Sequence, residues 1–389
     1  MRVLFVGSYP PRECGIATFT RDLVAGVEKS GLAACDVIAI DEAAGSDREY
    51  PPEVVARIVR DDRSSYFAAA AFASARPYDA VCVQHEYGLF GGHVGGMFLH
   101  FVKALEKPLV VSMHTVLSAP CEAMREVAQQ IGEHADKVVV LSPSGAGILE
   151  SAYGLKAERI KMVHHGVPKV PFVKTAAAKE RLGLHGRKVV TTFGLLNRGK
   201  GIEYAIDAID LIRRDHPEVL YLVLGKTHPG VVRTEGEEYR SRLTDRIKER
   251  DLQGNVAFVD RYFALEELLE LLSATDVYVT PYLQREQIVS GTLAYAVGCG
   301  KPVVSTPYRY ATDLLADGRG MLCDFADSRS LATALDRLLS DDALRARITT
   351  AAYAFGKNMT WDNVAREYGK IFAAVRASAR LSPADAYVA

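Results

Sequence analysis

Short runs of apolar, largely β-branched residues alternate with helical patterns along almost the whole chain. In the first half these runs lie at residues 3–6, 37–40, 80–83, 109–112 and 138–141. In the second half they lie at residues 189–193, 220–224, 256–259, 277–280, 303–305 and 321–323. Because a strand that is covered on both faces is apolar throughout, the pattern predicts parallel sheets wrapped by helices. The predicted fold class is α/β, with two Rossmann-like, doubly wound domains.

The alternation stops between residues 166 and 188, where Pro168 and Pro171 act as breakers and no strand pattern appears. A length of 389 residues suits two domains better than one. We therefore predict an N-terminal domain over residues 1–168, a linker over 169–187 and a C-terminal domain over 188–358. The remaining segment, 359–389, is predicted to hold a helix over about 361–376 and a frayed tail from 377.

Charge balance and cysteine usage narrow the functional classes. Lysine plus arginine number 47 and aspartate plus glutamate 48, so no global field attracts nucleic acid or an anionic membrane. The six cysteines form no C-x-x-C pair, and no apolar stretch approaches the ~20 residues needed to span a bilayer. We expect a cytoplasmic protein without a nucleic-acid partner or a transmembrane segment. The basic stretch at 156–181 is compatible with peripheral membrane contact, although such a run is more commonly a solvated face.

Two glycine-rich loops connect the first strand of each half to a helix. The first, GSYPPRECG, ends at Gly15, and the second, GLLNRGKG, contains Arg198 and Lys200. Helix N-termini offer N–H groups and a positive dipole to anions, and two cations suit a diphosphate. A turn without a ligand explains the first loop equally well, and a solvated basic turn is the alternative for the second. Neither loop has the P-loop or G-x-G-x-x-G spacing, which disfavours NTP hydrolysis and oxidoreduction.

Polar residues also follow other strands at their carboxyl ends, where open α/β sheets bind ligands. A third helix start, after the strand at 277–280, completes the predicted diphosphate site with Ser290, Gly291 and Thr292. In the first half, the strand at 80–83 leads into a loop of polar and aromatic residues typical of sugar binding, predicted to hold the acceptor with His85, Glu86 and Tyr87. His114 follows the next strand, and its alternative role is that of a hydrogen-bonded core histidine.

The order of these features resembles the GT-B glycosyltransferases and, within them, the retaining family four, also known as group 1. The match rests on the first glycine loop, His114, the pair Lys200-Gly201 and the G-K-P-V-V segment at residues 300–304, and it covers nearly the whole chain. It implies two domains facing a central cleft, with the donor nucleotide on the second and the acceptor on the first. It also implies retention at the anomeric carbon, no obligatory metal, and a last helix that crosses back to the first domain.

The resemblance extends to single residues, with two departures. The arginine that the family carries shortly after Gly194 is replaced by Leu195, for which Arg198 is the candidate substitute. Members of the family carry two glutamates with seven residues between them, and these correspond here to Gln287 and Tyr295, while Glu286 is adjacent to the first. We predict that His114, Gln287 and Glu286 form the catalytic group, with Gln287 orienting the donor sugar through its amide. Tyr295 and Tyr262 are the candidates for contact with the nucleoside.

The sequence thus predicts a hexosyltransferase that uses a GDP- or UDP-hexose as co-substrate, mannose or glucose being inferred from the family alone. The acceptor is expected to be a carbohydrate or glycoconjugate hydroxyl, and no other cofactor is expected. Two alternatives stay open. One is a phosphorylase-like enzyme on the same fold that uses inorganic phosphate. The other, motivated by the missing glutamates, is a catalytically inactive sugar-binding protein.

Overall fold

The computed structural model describes residues 1–381 and divides them into two units. The first unit contains Met1–Gly166 and the segment that starts at Met359, and the second contains Val167–Asn358. Each unit is built around one parallel sheet with helices on its faces.

The sheet of the first unit has seven strands and that of the second has six, and all paired neighbours among the described residues run parallel. The strands are β1 (Arg2–Gly7), β2 (Ala34–Asp41), β3 (Val54–Val59), β4 (Ala80–His85), β5 (Leu109–Met113), β6 (Lys137–Val140), β7 (Ile160–Met162), β8 (Lys188–Phe193), β9 (Val219–Leu224), β10 (Val256–Val259), β11 (Val277–Thr280), β12 (Val303–Ser305) and β13 (Met321–Leu322).

The strand order is β3-β2-β1-β4-β5-β6-β7 in the first sheet and β10-β9-β8-β11-β12-β13 in the second. In both sheets the direction of winding reverses beside the first strand, between β1 and β4 and between β8 and β11. Such a reversal leaves a crevice at the carboxyl ends of the two strands, where open α/β sheets bind ligands. Each unit therefore has one topological switch point, and the predicted doubly wound α/β class is confirmed.

Fifteen helices of the α type cover the sheets of the described residues. They are α1 (Gly15–Lys29), α2 (Arg63–Ser74), α3 (Phe98–Ala104), α4 (Glu122–His134), α5 (Pro143–Tyr153), α6 (Thr175–Arg181), α7 (Ile202–Ile212), α8 (Pro229–Glu235), α9 (Glu238–Glu249), α10 (Leu265–Ser273), α11 (Gly291–Gly298), α12 (Arg309–Leu314), α13 (Ser328–Ser340), α14 (Asp342–Gly356) and α15 (Trp361–Leu381).

The central strands are buried on both faces, as their continuous apolar sequences predict. Leu4, Phe5 and Val6 of β1 have no exposed surface. In the second unit, Ile202, Ile206 and Ile209 recur at helical spacing in α7 and pack into the core.

The last helix, α15, packs within the first unit. The Phe372 ring lies edge-on to Phe5, with centroids 6.0 Å apart, and the Tyr368 and Ser112 hydroxyls lie 2.8 Å from each other. A side chain at Gly26 of α1 would meet the Trp361 carbonyl oxygen at 3.3 Å, so glycine permits the close approach of α1 and α15. The helix continues to Leu381, beyond its predicted end at residue 376. The rest of the predicted frayed tail lies outside the described residues.

Two edge strands and one helix were not predicted. β3 alternates exposed and half-buried residues, and β7 has three residues of which only Ile160 is buried, so neither carries a continuous apolar run. Residues 169–187, predicted as a linker, contain α6, and the structure assigns this segment to the second unit. Lys179 of α6 is paired with Asp276, and Arg181 with Glu270, which explains the attachment.

Candidate functional site

In the second unit, the loop after β8 is held in a tight space that only glycine allows. Gly194 has a φ of +124°, and a Cβ atom there would lie 3.1 Å from Thr292 Cγ2. Gly225, which follows β9, has a φ of +131°, and its Cβ would lie 2.2 Å from the Gly194 carbonyl oxygen. The loop after β8 therefore lies between the loop after β9 and the start of α11, and a side chain at either glycine would separate them.

The same loop also contacts the segment after β11. Gly201 has a φ of +61°, and a Cβ there would lie 2.1 Å from the Pro281 carbonyl oxygen. The Leu283 amide donates to the Gly199 carbonyl oxygen at 2.9 Å. These contacts bring the two loops that flank the switch point together and fix the position of the residue between the glycines, Lys200.

Lys200 lies over an aromatic ring that the sequence analysis did not single out. Its Nζ is 3.9 Å from the centroid of the Tyr282 ring, a distance typical of a cation–π contact. The Tyr282 hydroxyl lies 2.7 Å from Thr292 Oγ1, which is 3.1 Å from Ser290 Oγ. The Tyr282 ring also stacks on Tyr308, with centroids 5.3 Å apart. Tyr282 thus links the lysine to the beginning of α11.

The start of α11 is a capped helix N-terminus. Ser290 is the N-cap residue, and its Oγ accepts a hydrogen bond from the Leu293 amide at 3.3 Å. First-turn N–H groups, here those of Gly291 and Thr292, have no partner within their own helix and carry the positive end of its dipole. The structure therefore brings Lys200, Ser290, Gly291 and Thr292 into one site that suits a phosphate group. Their predicted roles in binding the diphosphate stay a prediction.

A small recess lies beside Lys200, at the carboxyl end of β8. Its lining includes Phe193, Gly194, Leu195 and Lys200. Leu195 occupies the position where an arginine is expected from the family resemblance, so this wall of the recess is apolar.

Arg198, the other predicted cation, is turned towards acidic side chains of the same unit. Its Nε donates to Glu235 at 2.8 Å and its Nη2 to Glu238 at 3.2 Å, and these carboxylates raise the pKa of the guanidinium. Contact with a diphosphate would require Arg198 to exchange these partners. Lys200 is therefore the stronger candidate of the two.

Glu286 and Gln287, predicted as catalytic residues, are both held by local contacts. Glu286 forms a two-pronged ion pair with Arg309, with both N–O distances at 3.0 Å. The Gln287 amide nitrogen donates to the Val289 carbonyl oxygen at 2.8 Å, and its backbone oxygen accepts from the Tyr310 amide. Because Glu286 is neutralised by a guanidinium, it is poorly suited to accept a proton, whereas Gln287 keeps its side-chain oxygen as an acceptor.

The two predicted nucleoside contacts lie in different parts of the second unit. Tyr295 is buried in α11, with its ring 6.2 Å from that of Phe193 at the end of β8. Tyr262 is 50% exposed in the loop that follows the edge strand β10. The structure thus brings Tyr295 to the switch point and leaves Tyr262 at the edge of the sheet.

In the first unit, His114 follows β5, the strand next to β4 at the switch point. Its amide donates to the His85 carbonyl oxygen at 3.0 Å, and its Nε2 lies 3.0 Å from Gln84 Oε1. Burial, together with His165 and His85, lowers the pKa of His114 to about 3, so the imidazole is neutral near pH 7. Since an amide oxygen only accepts, Nε2 carries the proton and Nδ1 is left as an acceptor. A hydroxyl group is a suitable partner for it.

His85 lies in an aromatic cage instead of on a surface. The Phe90 ring stacks on it at 5.4 Å, and Tyr87 and Phe98 lie at 5.1 and 5.4 Å. Its side chain has no exposed surface, and neither ring nitrogen has a hydrogen-bond partner among the described residues. Burial lowers its pKa to about 3. In this arrangement the ring nitrogens of His85 are enclosed by aromatic side chains, and its predicted role in binding the acceptor stays a prediction.

The neighbouring Glu86 forms a polar cluster with a residue that the sequence analysis missed. One of its carboxylate oxygens accepts from the Thr115 hydroxyl at 2.6 Å and the other from the Tyr87 amide at 2.9 Å. Burial raises the pKa of this carboxyl group. The Tyr87 hydroxyl donates to the Met124 carbonyl oxygen at 3.3 Å. Thr115 could have been found from its position directly after His114.

Gly15 is the first residue of α1, in the first unit. Cys14 caps this helix, its Sγ accepting from the Ala17 amide at 3.3 Å. No atom lies within 4 Å of the place that a Cβ of Gly15 would occupy. Packing therefore does not demand glycine here, and the open space beside the helix start is compatible with the predicted anion.

The part of the chain that the structure describes contains no group of three or more His, Cys, Asp or Glu side chains placed to hold a metal ion. None of the helices formed by residues 1–381 is both long enough and apolar enough to cross a membrane.

Comparison with known families gives two matches that together cover most of the chain. The model "Glycosyl transferases group 1" matches residues 174–355, and the model "Glycosyltransferase Family 4" matches residues 14–169. A D-inositol 3-phosphate glycosyltransferase of a Nocardioides species is 28% identical over 79% of this chain and 70% of its own length. A mannosylfructose-phosphate synthase of Agrobacterium fabrum is 26% identical over 60% of this chain and 51% of its own length.

Solved structures share the fold. The HepE protein of Anabaena, solved in complex with UDP, superposes with a TM-score of 0.78 at 18% identity over 96% of this chain and all of its own. The sucrose-phosphate synthase of Thermosynechococcus elongatus gives a TM-score of 0.78 at 20% identity, covering 97% of this chain and 100% of that one. At these identities the likeness establishes the fold.

Proposed function

Since the chain belongs to the group 1, or family 4, glycosyltransferases, we propose that it transfers a hexose from a UDP- or GDP-linked donor to a hydroxyl group, with retention at the anomeric carbon. The observation that carries this proposal is the site formed by Lys200, Tyr282 and the start of α11 in the second unit. The UDP complex of HepE, which has the same fold, agrees with a nucleotide as the bound anion.

The diphosphate is the leaving group of the proposed reaction, and negative charge accumulates on it as the glycosidic bond breaks. Lys200 and the N–H groups of Gly291 and Thr292 are fixed in advance by the contacts of Tyr282 and Ser290. Donors held in place in this way stabilise developing charge without reorganisation during the reaction. Transfer with retention needs no carboxylate nucleophile if the departing phosphate itself accepts the proton of the incoming hydroxyl.

Gln287 then has a positioning role in this scheme. Its amide nitrogen is bound to Val289, which leaves the amide oxygen to accept a hydrogen bond from a donor-sugar hydroxyl. Because the amide is neutral, it orients the sugar without adding negative charge. Lys200 and the helix start would then supply most of the electrostatic stabilisation of the leaving group.

On the acceptor side, we propose a polyol or sugar hydroxyl that contacts His114 Nδ1 and the Glu86–Thr115 pair. The relatives' names include a phosphorylated inositol and a phosphorylated disaccharide. A carboxylate beside Thr115 would repel a phosphate at that position, which favours an uncharged acceptor. The cytoplasmic location expected from cysteine usage stays a prediction.

The test is an activity panel with UDP-, GDP- and ADP-hexoses, each offered with inositol, inositol 3-phosphate, fructose and fructose 6-phosphate. A product with an uncharged acceptor supports the proposal. Turnover confined to phosphorylated acceptors would overturn the acceptor assignment, and absence of turnover with every donor would overturn the enzymatic function.

A second arm compares Gln287→Ala and Gln287→Glu. We expect the alanine variant to lower kcat by roughly tenfold or more, since it loses the contact that orients the sugar. If alanine leaves activity intact, Gln287 does not contact the donor sugar. Release of a hexose 1-phosphate from a glycoside and inorganic phosphate, without transfer from any nucleotide sugar, would replace the proposal with a phosphorylase.

A further inference from the structure

Gln84 is a buried amide in the strand that precedes the predicted acceptor loop. It is the fifth residue of β4, whose four preceding residues are apolar, and its side chain has no exposed surface. Placing an amide in an apolar interior costs free energy unless its donor and acceptor groups are both paired. Each end of the Gln84 amide should therefore have a definite partner.

Both ends of the Gln84 amide have partners in the first unit. Its Oε1 lies 3.0 Å from His114 Nε2, and its Nε2 donates to Cys82 Sγ at 3.5 Å. Burial raises the pKa of the Cys82 thiol, so the sulfur is uncharged and acts as a weak acceptor. The amide is thus oriented with its nitrogen towards the sulfur and its oxygen towards the imidazole.

The backbone and the packing of the sheet fix Gln84 relative to His114. β4 and β5 are paired so that Gln84 lies opposite Ser112, and the His114 amide donates to the His85 carbonyl oxygen at 3.0 Å. On the neighbouring β1, a Cβ atom at Gly7 would lie 3.1 Å from the Cβ atom of Gln84, so the two strands enclose this side chain closely. The hydrogen bond to the imidazole is therefore built into the sheet.

The other side chains around His114 do not determine which ring nitrogen is protonated. The Phe19 ring meets the imidazole edge-on at 4.9 Å and offers it no lone pair. His85 and His165 are neutral near pH 7, because burial lowers their pKa to about 3 and about 4. The Glu86 carboxyl group accepts from two other donors, a hydroxyl and a backbone amide. The contact with Gln84 is thus the one that distinguishes the two nitrogens of the His114 ring.

An amide at this position has a different effect from a carboxylate. A carboxylate beside an imidazole stabilises the imidazolium ion, whose two nitrogens are both donors. An amide oxygen accepts one N–H bond without adding charge, so the ring stays neutral and its second nitrogen remains an acceptor. Glutamine therefore defines the donor and acceptor sides of the ring, which glutamate, a residue of the same size, would not do.

We propose that Gln84 is a positioning residue that holds His114 as the neutral tautomer with the proton on Nε2, so that Nδ1 accepts from a substrate hydroxyl. Gln84 acts through the imidazole and does not itself contact the substrate. The substrate hydroxyl rests on the proposed transferase function, whereas the tautomer is a property of the free protein. The two parts are therefore tested by separate measurements.

The first measurement is a long-range proton–nitrogen NMR correlation spectrum of protein that contains isotope-labelled histidine. The His114 signals are identified by their absence in His114→Ala, and at pH 7 wild type should show a protonated Nε2 and an unprotonated Nδ1. Gln84→Glu should show a protonated Nδ1. An isolated buried carboxylate is unfavourable, so the pair takes up a proton, and either location of that proton makes Nδ1 a donor.

A matched control changes another buried polar residue of the same sheet. Ser112→Ala removes a hydroxyl that lies 2.8 Å from that of Tyr368 and is opposite Gln84 in β5. It should leave the tautomer of His114 unchanged, because the amide of Gln84 keeps both of its partners.

The second measurement is the pH dependence of kcat with the donor and acceptor panel described above. The ratio of kcat in Gln84→Glu to kcat in wild type should be about one tenth at pH 6 and should rise at higher pH, as the pair loses its proton. Gln84→Met keeps the size of the side chain and removes the amide. It should lower kcat roughly tenfold and leave KM for the nucleotide sugar unchanged.

Thermal unfolding shows which variants are folded, and the wild-type spectrum tests the proposal even without them. The proposal is overturned if the His114 ring of wild type carries its proton on Nδ1, or if Gln84→Glu has an unprotonated Nδ1 and the pH profile of wild type. It is equally overturned if Gln84→Met keeps full kcat in an active enzyme. If the spectra follow the prediction and wild type transfers no sugar from any donor, the proposed function fails while the role of Gln84 in setting the tautomer stands.

Discussion

The two switch points share one topology and differ in their chemistry. In each unit a glycine loop follows the first strand, and polar residues follow the fourth strand along the sequence. At the second unit's switch point the cation Lys200 lies beside a helix start. At the first unit's switch point the side chains are buried imidazoles, an amide and a protonatable carboxyl group. The shared scaffold shows that backbone geometry offers a site, whereas side-chain charge and burial decide which chemical group the site suits.

The largest expected effect of this difference is acid sensitivity of the first unit. Burial lowers the pKa of His85 and His114 to about 3 and that of His165 to about 4, from an ordinary value of 6.5. Because the unfolded chain binds these protons and the folded unit does not, stability is lost as pH falls below 6.5. At pH 5 each histidine should cost about 2 kcal/mol, or about 6 kcal/mol together.

The chain's single tryptophan gives a local signal for this loss. Trp361 lies in the first unit, with its ring 5.2 Å from that of Phe19. Urea unfolding followed by tryptophan fluorescence should show a much lower midpoint at pH 5 than at pH 7.5. His85→Phe, which fits an aromatic cage, should recover about a third of the loss. Equal midpoints at the two pH values would mean that the histidines are not buried in neutral form.

The next prediction concerns the close contact between the loop after β8 and the loop after β9 in the second unit. Gly225→Ala should destabilise the protein by about 3 kcal/mol, because the new methyl group meets the Gly194 carbonyl oxygen and φ is positive. Gly154→Ala is the matched control, since its φ of +69° and ψ of 21° are those of the left-handed helical region and nothing packs within 4 Å of the new Cβ. It should cost about 1 kcal/mol. Equal thermal shifts in the two variants would show that the loops are not in contact.

A smaller effect concerns Tyr282, which connects the cation to the helix start. Tyr282→Phe keeps the ring under Lys200 and removes the hydroxyl that contacts Thr292. Loss of one such hydrogen bond should weaken nucleotide binding by about 1 kcal/mol, or roughly fivefold. Tyr308→Phe, which alters the stacked neighbour and leaves that contact in place, serves as the control. If both variants bind nucleotide as wild type does, Tyr282 is a core residue without a role in the site.

Much of the fold could be predicted from the sequence because buried parallel strands have continuous apolar runs. All six strands of the second sheet were predicted in this way. β3 was missed because it is an edge strand, and the exposed Arg57 interrupts its apolar run. α6 was missed because its stability depends on ion pairs with residues that are distant in sequence, such as Lys179 with Asp276.

The candidate site could be predicted only in part, because several of its side chains are positioned by contacts with residues distant in sequence. Lys200 and the residues that begin α11 could be identified, since glycines and N-cap residues mark loops and helix starts. The pairing of Arg198 with Glu235 and the burial of His85 arise from tertiary contacts that no local pattern reveals. Tyr282 was overlooked because a tyrosine after an apolar strand is compatible with an ordinary core position.

The most direct test of the central claim compares Lys200→Ala with His114→Ala in calorimetric titrations with UDP and GDP and in turnover assays. If charge in the second unit holds the diphosphate, Lys200→Ala should weaken nucleotide binding by roughly ten- to a hundredfold, as expected for a charged contact of 1.5 to 3 kcal/mol. His114→Ala should leave nucleotide affinity unchanged and lower kcat, because its neutral ring would contact the reacting sugar or acceptor. Unchanged nucleotide affinity in Lys200→Ala, or weakened affinity with full turnover in His114→Ala, would contradict the division of roles between the two units.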